Sequence, residues 1–244
     1  MIALVTPLHR PVDIENVRAN WLRLGGVLIV VENGAGIGAC RDAGFEPSML
    51  VQSNDHQSHA RNAGIEAAQA LGADGWAMLD ADDYYGPGYI AKVEAALQGA
   101  ELVAQSSAYV RLSDGRLLLL SGRTDPHFGS TLASNRFDLR YRVPDTAVTW
   151  EDDTLLLADA QAAGVTLGTM GPEGHVYRRD RGAHISPATD AQLVAGYRAG
   201  CTPERDHVED FGPSTPDNFA DDPHGSGTLL PRPSAGEIMR ACAQ

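Results

Sequence analysis

Through its first hundred residues the chain alternates short apolar runs with longer amphipathic ones, which predicts a mostly parallel sheet covered by helices. Apolar runs at 2–6, 27–31, 49–52 and 76–80 read as strands. Between them apolar side chains recur every three or four residues, as Val17, Trp21 and Leu24 do, and Ile65, Ala68 and Leu71. This period predicts helices over 13–23, 57–71 and 87–98. Residues 101–111 and 116–121 flank Ser113-Asp114-Gly115, whose Asp-Gly pair suits a tight hairpin turn and adds antiparallel strands.

Beyond Ser121 the pattern weakens. The stretch 121–147 holds Gly122, Pro126, Gly129 and Pro144 with no dominant period, and reads as a long loop over one sheet edge. Thr149-Trp150-Glu151-Asp152-Asp153 then opens a helix running to about Ala163, with acids in the first turn where the helix dipole favours them and Gly164 at its end. Residues 165–170 and 175–178 read as two further strands. After Cys201 the chain turns to Pro, Gly and Asp, as in Gly212-Pro213, Asp221-Asp222-Pro223 and Pro231-Arg232-Pro233, and has little apolar surface to bury. The expectation is therefore one α/β domain over 1–200 and an extended tail over 201–244, pinned by Phe211, Phe219 and Leu229-Leu230, with a short helix near 234–242.

Composition narrows the partners. Among 244 residues, 19 basic side chains face 32 acidic ones for a net charge of -13, and Lys92 is the only lysine. Nucleic-acid binding needs clustered positive charge to release phosphate counterions, so a nucleic-acid partner is not expected. No stretch approaches the ~18 apolar residues of a membrane span. The N-terminus enters an apolar strand without a basic leader, so a soluble cytoplasmic protein is expected. Cys40, Cys201 and Cys242 lack C-x-x-C spacing and read as free thiols. The absence of G-x-x-x-x-G-K-[ST] excludes a P-loop.

The densest chemistry lies in Trp76-Ala77-Met78-Leu79-Asp80-Ala81-Asp82-Asp83, where an apolar strand ends in three carboxylates within four residues. In an extended chain Asp80 and Asp82 would point to one side and share a cation, with Asp83 turned toward backbone or a basic group. Hard oxygen ligands suit Mg2+ or Mn2+, which often complete their shell with nucleotide phosphates. A solvated acidic turn would show the same spacing.

In order along the chain, Ser58-His59-Ala60-Arg61-Asn62-Ala63-Gly64-Ile65, the Asp80-Ala81-Asp82-Asp83 run, and Trp150-Glu151-Asp152 followed by a helix resemble family-2 glycosyltransferases of the GT-A fold. The resemblance covers about residues 1–185. It implies a mixed, mostly parallel Rossmann-like sheet, with a donor half over 1–100 and an acceptor half over 101–200.

By that resemblance the protein would be an inverting, metal-dependent enzyme moving a sugar from a nucleoside-diphosphate-sugar donor to an acceptor hydroxyl. Asp82 would ligate a Mn2+ or Mg2+ ion bridging the donor phosphates, and Asp80 would assist through ribose or a metal-bound water. Arg61 would sit beside the carboxylates or the phosphates, or act as a structural salt bridge. Thr6, Pro7, Glu32 and Asn33, at the ends of the first two strands, would cradle base and ribose. Asp152 would be the general base, with Glu151 and Asp153 as alternatives; without the upstream motifs, acids at a helix start read more readily as caps. His184 would complete the metal shell, with His175 as competitor, and Arg178, Arg179 and Arg181 would stabilise the leaving diphosphate. Trp150 would stack on an acceptor sugar or belong to the core. The acceptor is left open among a glycan, a lipid-linked glycan, a protein and a small molecule, and a homodimer is left open too.

Two other classes account for parts of the pattern. A nucleotide-sugar-binding protein of the same fold would keep the pocket without turnover. A Rossmann NAD(P)-dependent enzyme would use Gly34 and Gly36 of Gly34-Ala35-Gly36-Ile37-Gly38-Ala39, with Asp55 about twenty residues on. Against the latter, Cys40 to Pro47 makes a poor helix, and the aspartates stay unexplained.

Overall fold

A computed structural model of the chain describes residues 1–53, 56–143, 152–179, 189–201 and 207–213. Its main sheet has seven strands: β1 (Ile2–Leu8), β2 (Val27–Asn33), β3 (Met49–Ser53), β4 (Gly75–Met78), β6 (Leu102–Gln105), β9 (Phe128–Ser134) and β10 (Leu167–Met170). Their order is β10-β6-β9-β4-β1-β2-β3. Only β9 runs against the rest, pairing antiparallel with both β4 and β6. The second sheet, ordered β12-β8-β7-β11-β5, comprises β5 (Tyr84–Tyr85), β7 (Ala108–Arg111), β8 (Arg116–Ser121), β11 (His175–Arg178) and β12 (His207–Pro213). The fold is thus a mixed α/β one with a mostly parallel central sheet flanked by helices, as the sequence pattern predicts.

Period-two alternation divides the core into two layers. Leu4, Leu28, Val30, Ala77 and Val103 face α1 (Ile14–Leu24) and α4 (Tyr89–Leu97) through Ile14, Val17, Tyr89 and Val93. Ala3, Val5, Ile29, Val31, Trp76 and Met78 face α3 (Gln57–Ala70) and α5 (Asp152–Ala162) through Ala60, Ile65, Leu156 and Ala160. A strand covered on both faces reads as a continuous apolar run, which is the character of β1 and β2. Gly64 lets α3 approach closely, since a Cβ there would lie 2.2 Å from Val5 Cγ1. Among the described residues the remaining α-helices are the single turn α2 (Ala39–Asp42) and α6 (Asp190–Arg198).

Four details differ from the sequence reading. The region 121–147 contains β9, a strand inside the main sheet and no mere edge loop. Its buried Ser130, Thr131 and Ser134 mask the apolar signal; Thr131 Oγ1 satisfies itself by donating to Phe128 O and accepting from Gln105 N. The fourth strand stops at Met78, and 80–83 form a turn closed by Asp83 N donating to Asp80 O at 3.2 Å. Simple alternation therefore does not set where Asp80 and Asp82 point. Helix α6 was not anticipated, although its capping box, Thr189 with Gln192, is visible in the sequence. Finally, 207–213 of the proline-rich stretch pair with β8, and the Phe211 ring lies 6.2 Å from that of Tyr109. The hairpin around Ser113-Asp114-Gly115 forms as predicted, with Gly115 at φ +87°. The helix expected near 234–242, with Phe219 and Leu229-Leu230, lies outside the described residues.

Candidate functional site

The parallel strands β1, β2 and β4 end at one edge, where ligands of open α/β sheets bind. Helix α3 starts and helix α5 begins at the same edge, so segments far apart in sequence meet there. Arg61, in the second turn of α3, is 2% exposed and forms the centre of the cluster. Its Nη1 donates to Asp152 Oδ2 at 3.0 Å and to Asp153 Oδ1 at 2.5 Å, and its Nη2 lies 3.4 Å from Asp80 Oδ1. The guanidinium also lies 4.9 Å from the Tyr141 ring centre.

One cation among three carboxylates leaves excess negative charge. Burial pushes the Asp153 carboxyl up to about 7, and Asp152 and Asp80 add to the rise while Arg61 opposes it. The two acids at the start of α5 differ in access. Asp152 is buried and accepts from Ser58 Oγ as well as Arg61, whereas the Asp153 side chain is 22% exposed.

Each acid of the 80–83 turn has its own protein partner. Asp82 Oδ2 accepts from Arg10 Nη2 at 2.8 Å, and Arg10 Nε donates to Asp13 at 2.7 Å. Burial pushes the Asp82 carboxyl up to about 7, with Asp83 and Asp80 adding and Arg10 opposing. Asp83 points inward: it accepts the Arg178 amide at 2.9 Å and meets His175 Nε2 at 2.9 Å. Gln105 Nε2 donates to Gly171 O, so Gln105 Oε1 accepts from His175 Nδ1 at 2.8 Å, and His175 Nε2 shares one hydrogen bond with Asp83. Burial pushes His175 down to about 3 and raises Asp83 well above its ordinary value, with Asp80 adding to the rise on Asp83 and the Arg178 amide opposing it. Asn16 of α1 donates to the carbonyls of Ala81 and Asp83, Asn20 donates to that of Asp83, and Tyr85 Oη accepts from Asp80 N. The turn is clamped from both sides.

Thr6 and Pro7 are buried within β1, which continues to Leu8, and His9 and Arg10 stand beyond its end. Burial, then Arg10, lower the His9 pKa, while Asp80 nearby raises it. Glu32 is wholly buried at the end of β2, and its carboxylate accepts from Gly38 N at 2.8 Å, Cys40 N at 2.7 Å and Gln52 Nε2 at 3.2 Å. Glu32 thus holds the turn after β2 from inside, and Gly36 is required by packing, since a Cβ there would lie 1.9 Å from Leu8 O. Asn33 Oδ1, at the last residue of β2, is buried without a hydrogen-bond partner. Arg179 pairs with Asp190 of α6 at 2.7 Å. Glu151, Trp150, Arg181 and His184 lie outside the described residues. His9, Arg10, Asn16 and Asn20 were not singled out by sequence; for the first two, their place directly after an apolar strand was the available signal.

Asp80 and Asp82 supply hard carboxylate oxygens on one turn, with side chains 26% and 17% exposed, a donor set suited to a magnesium or manganese ion that keeps much of its water. Among the described residues no group of three or more His, Cys, Asp or Glu side chains is arranged to hold an ion. No helix among them is long and apolar enough to cross a membrane.

No protein-family model matches the sequence, and comparison with curated proteins returns no match. Solved structures do resemble it. A crystal structure of residues 1–349 of TarS from S. aureus superposes with a TM-score of 0.50 at 10% identity over 72% of this chain, and the same fragment in complex with UDP with 0.50 at 11% over 73%. A CMP:2-keto-3-deoxy-manno-octonic acid synthetase complexed with CTP gives 0.42 at 15% identity, covering 81% of this chain and 97% of that one. The chain spans 60% of the length of the TarS fragment. At such identities the likeness to TarS is one of fold alone.

Proposed function

We propose that this chain is an inverting, metal-dependent glycosyltransferase that moves a sugar from a nucleoside-diphosphate donor to an acceptor hydroxyl. One observation carries the reading: Arg61, Asp80 and the acids of α5, from three separate sequence motifs, meet at the strand ends where a ligand of this fold binds. Asp80 and Asp82 would hold the divalent ion, which when bound neutralises a departing diphosphate. The orphaned Asn33 Oδ1 offers an acceptor to the donor's base or ribose. Arg61 holds the acids of α5 in place, and one of them takes the proton of the acceptor hydroxyl. Asp152 is the residue that the motif points to. Asp153 is its better-exposed neighbour, with a carboxyl poised near neutrality, where a general base works best. The UDP bound in a TarS crystal makes a UDP-sugar the first donor to test.

A thermal-shift panel of UDP-, GDP-, CMP- and dTDP-sugars with and without Mn2+ tests the reading, because a ligand bound only by the folded state raises its melting temperature. One sugar nucleotide should stabilise the protein, more so with the ion. Asp152→Asn or Asp153→Asn should then slow donor turnover by about a hundred- to ten-thousandfold while that shift persists. No shift with any donor overturns the proposal. A shift without turnover in the wild type would identify a binding protein instead, and saturable NADH binding would favour the dinucleotide reading.

A further inference from the structure

The two acids at the start of α5 are committed to different degrees. Both oxygens of Asp152 are taken: Oδ2 accepts from Arg61 Nη1 at 3.0 Å and Ser58 Oγ at 3.3 Å, and Oδ1 accepts the Asp153 amide at 3.0 Å. Asp153 gives Oδ1 to Arg61, but its Oδ2 accepts no hydrogen bond among the described residues and still meets solvent. That oxygen rests on Gly129 of β9, where a Cβ would lie 1.9 Å from Oδ2 and 2.1 Å from Cγ. Because β9 runs against β4 and β6, its first residues lie at the edge where those strands end, and Phe128 is level with Gln105, the last residue of β6. Gly129 is the one position of β9 that is not buried. At the next residue, the Ser130 carbonyl accepts from Tyr85 Oη, which itself accepts from Asp80 N. One hydroxyl thus ties the seat of Asp153 to the turn that carries Asp80.

We propose that Asp153 is the general base, presented on the bare backbone of Gly129, and that Asp152 is its anchor. The assignment rests on the glycosyltransferase reading and names the residue for its proton step. The acceptor's O–H proton passes to Asp153 Oδ2, and the electron pair left on that oxygen forms the bond to the sugar's anomeric carbon. The bond from that carbon to the diphosphate breaks, and its electrons leave on the phosphate oxygen. Asp152 stays on Arg61 throughout, so the buried guanidinium keeps a partner when Asp153 becomes neutral. Asp152 itself, 2% exposed, has no oxygen to offer an acceptor unless it first gives up a bond. A side chain at 129 would push the Asp153 carboxylate off its seat, and a misplacement of about 1 Å costs about a hundredfold in rate.

The test follows release of nucleoside diphosphate from each sugar nucleotide of the thermal-shift panel, with water as acceptor and saturating Mn2+. Asp153→Asn should lose kcat by about a hundred- to ten-thousandfold with donor KM within about threefold of wild type. The wild-type kcat should fall as pH drops through about 7, and that acid limb should vanish in Asp153→Asn. Asp152→Asn should lose about tenfold and keep the limb, and Ser58→Ala, which removes one partner of Asp152, serves if Asp152→Asn does not fold. Gly129→Ala should lose about a hundredfold in kcat at unchanged donor KM, and nothing further in an Asp153→Ala background, because it acts through that carboxylate. A Gly129→Ala enzyme with wild-type kcat overturns the seat. An equal or larger loss in Asp152→Asn, or an acid limb that persists in Asp153→Asn, overturns the base assignment and spares the glycosyltransferase reading. If wild type turns over no sugar nucleotide of the panel, that reading fails and takes this proposal with it.

Discussion

Replacing Arg61 by Met tests whether the cluster is held by charge. The variant keeps the stem and most of the volume but leaves Asp152, Asp153 and Asp80 facing one another around a neutral side chain. At an effective dielectric of about 20, one ion pair at about 4 Å is worth roughly 4 kcal/mol. Recovered solvation of the arginine offsets part of this, and removing one partner of a buried pair costs about 3–5 kcal/mol in practice. Loss of the contact with Tyr141 adds up to about 1–2 kcal/mol. A protein of this size loses roughly 2–4 °C of melting temperature per kcal/mol, so Arg61→Met should melt on the order of 10 °C lower at pH 8. The loss should shrink at pH 5. Arg61 opposes the rise at Asp153, so without it the Asp153 carboxyl moves further above its unfolded value, the folded variant takes up a proton that the unfolded chain does not, and acid restores its stability. Urea unfolding at pH 5 and pH 8 measures both effects. A loss under about 1 kcal/mol at pH 8, or an equal loss at both pH values, would refute a cluster held by charge.

Asp153→Asn should gain stability relative to wild type by roughly 1–3 kcal/mol as pH rises from about 4 to 7. A carboxyl raised to about 7 in the folded state stabilises below its unfolded pKa, and that contribution is lost on rising through the folded one; parallel denaturation profiles would count against it. Glu32→Ala leaves the Gly38 and Cys40 amides without their acceptor and should cost about 2–4 kcal/mol in urea unfolding, even with no ligand present. A neutral result would remove Glu32 from its role as anchor of the glycine turn. Gly64→Ala places a Cβ 2.2 Å from Val5 Cγ1 and should cost about 1–3 kcal/mol by overpacking, with a lower thermal midpoint as the measure.

The alternation of strands and helices over 1–100 was legible because each element repeats its own apolar period, and the two buried layers follow directly from β1 and β2. Strand β9 was not, since Ser130, Thr131 and Ser134 are buried through hydrogen bonds instead of apolarity. The acids of the 80–83 turn could be located, as could the order of motifs around them. Their partners could not: Arg10 lies 72 residues from Asp82, His175 lies 92 from Asp83, and Arg61 lies 91 from Asp152.

Local pattern alone therefore settled most strands and helices of the first hundred residues and where carboxylates gather, because hydrophobic period and turn chemistry act between near neighbours. Which cation each carboxylate holds, which acid is turned inward and which stays open were decided by the tertiary structure. Ion pairs and burial depend on distance in space, and the sheet order brings together side chains that the chain itself keeps far apart.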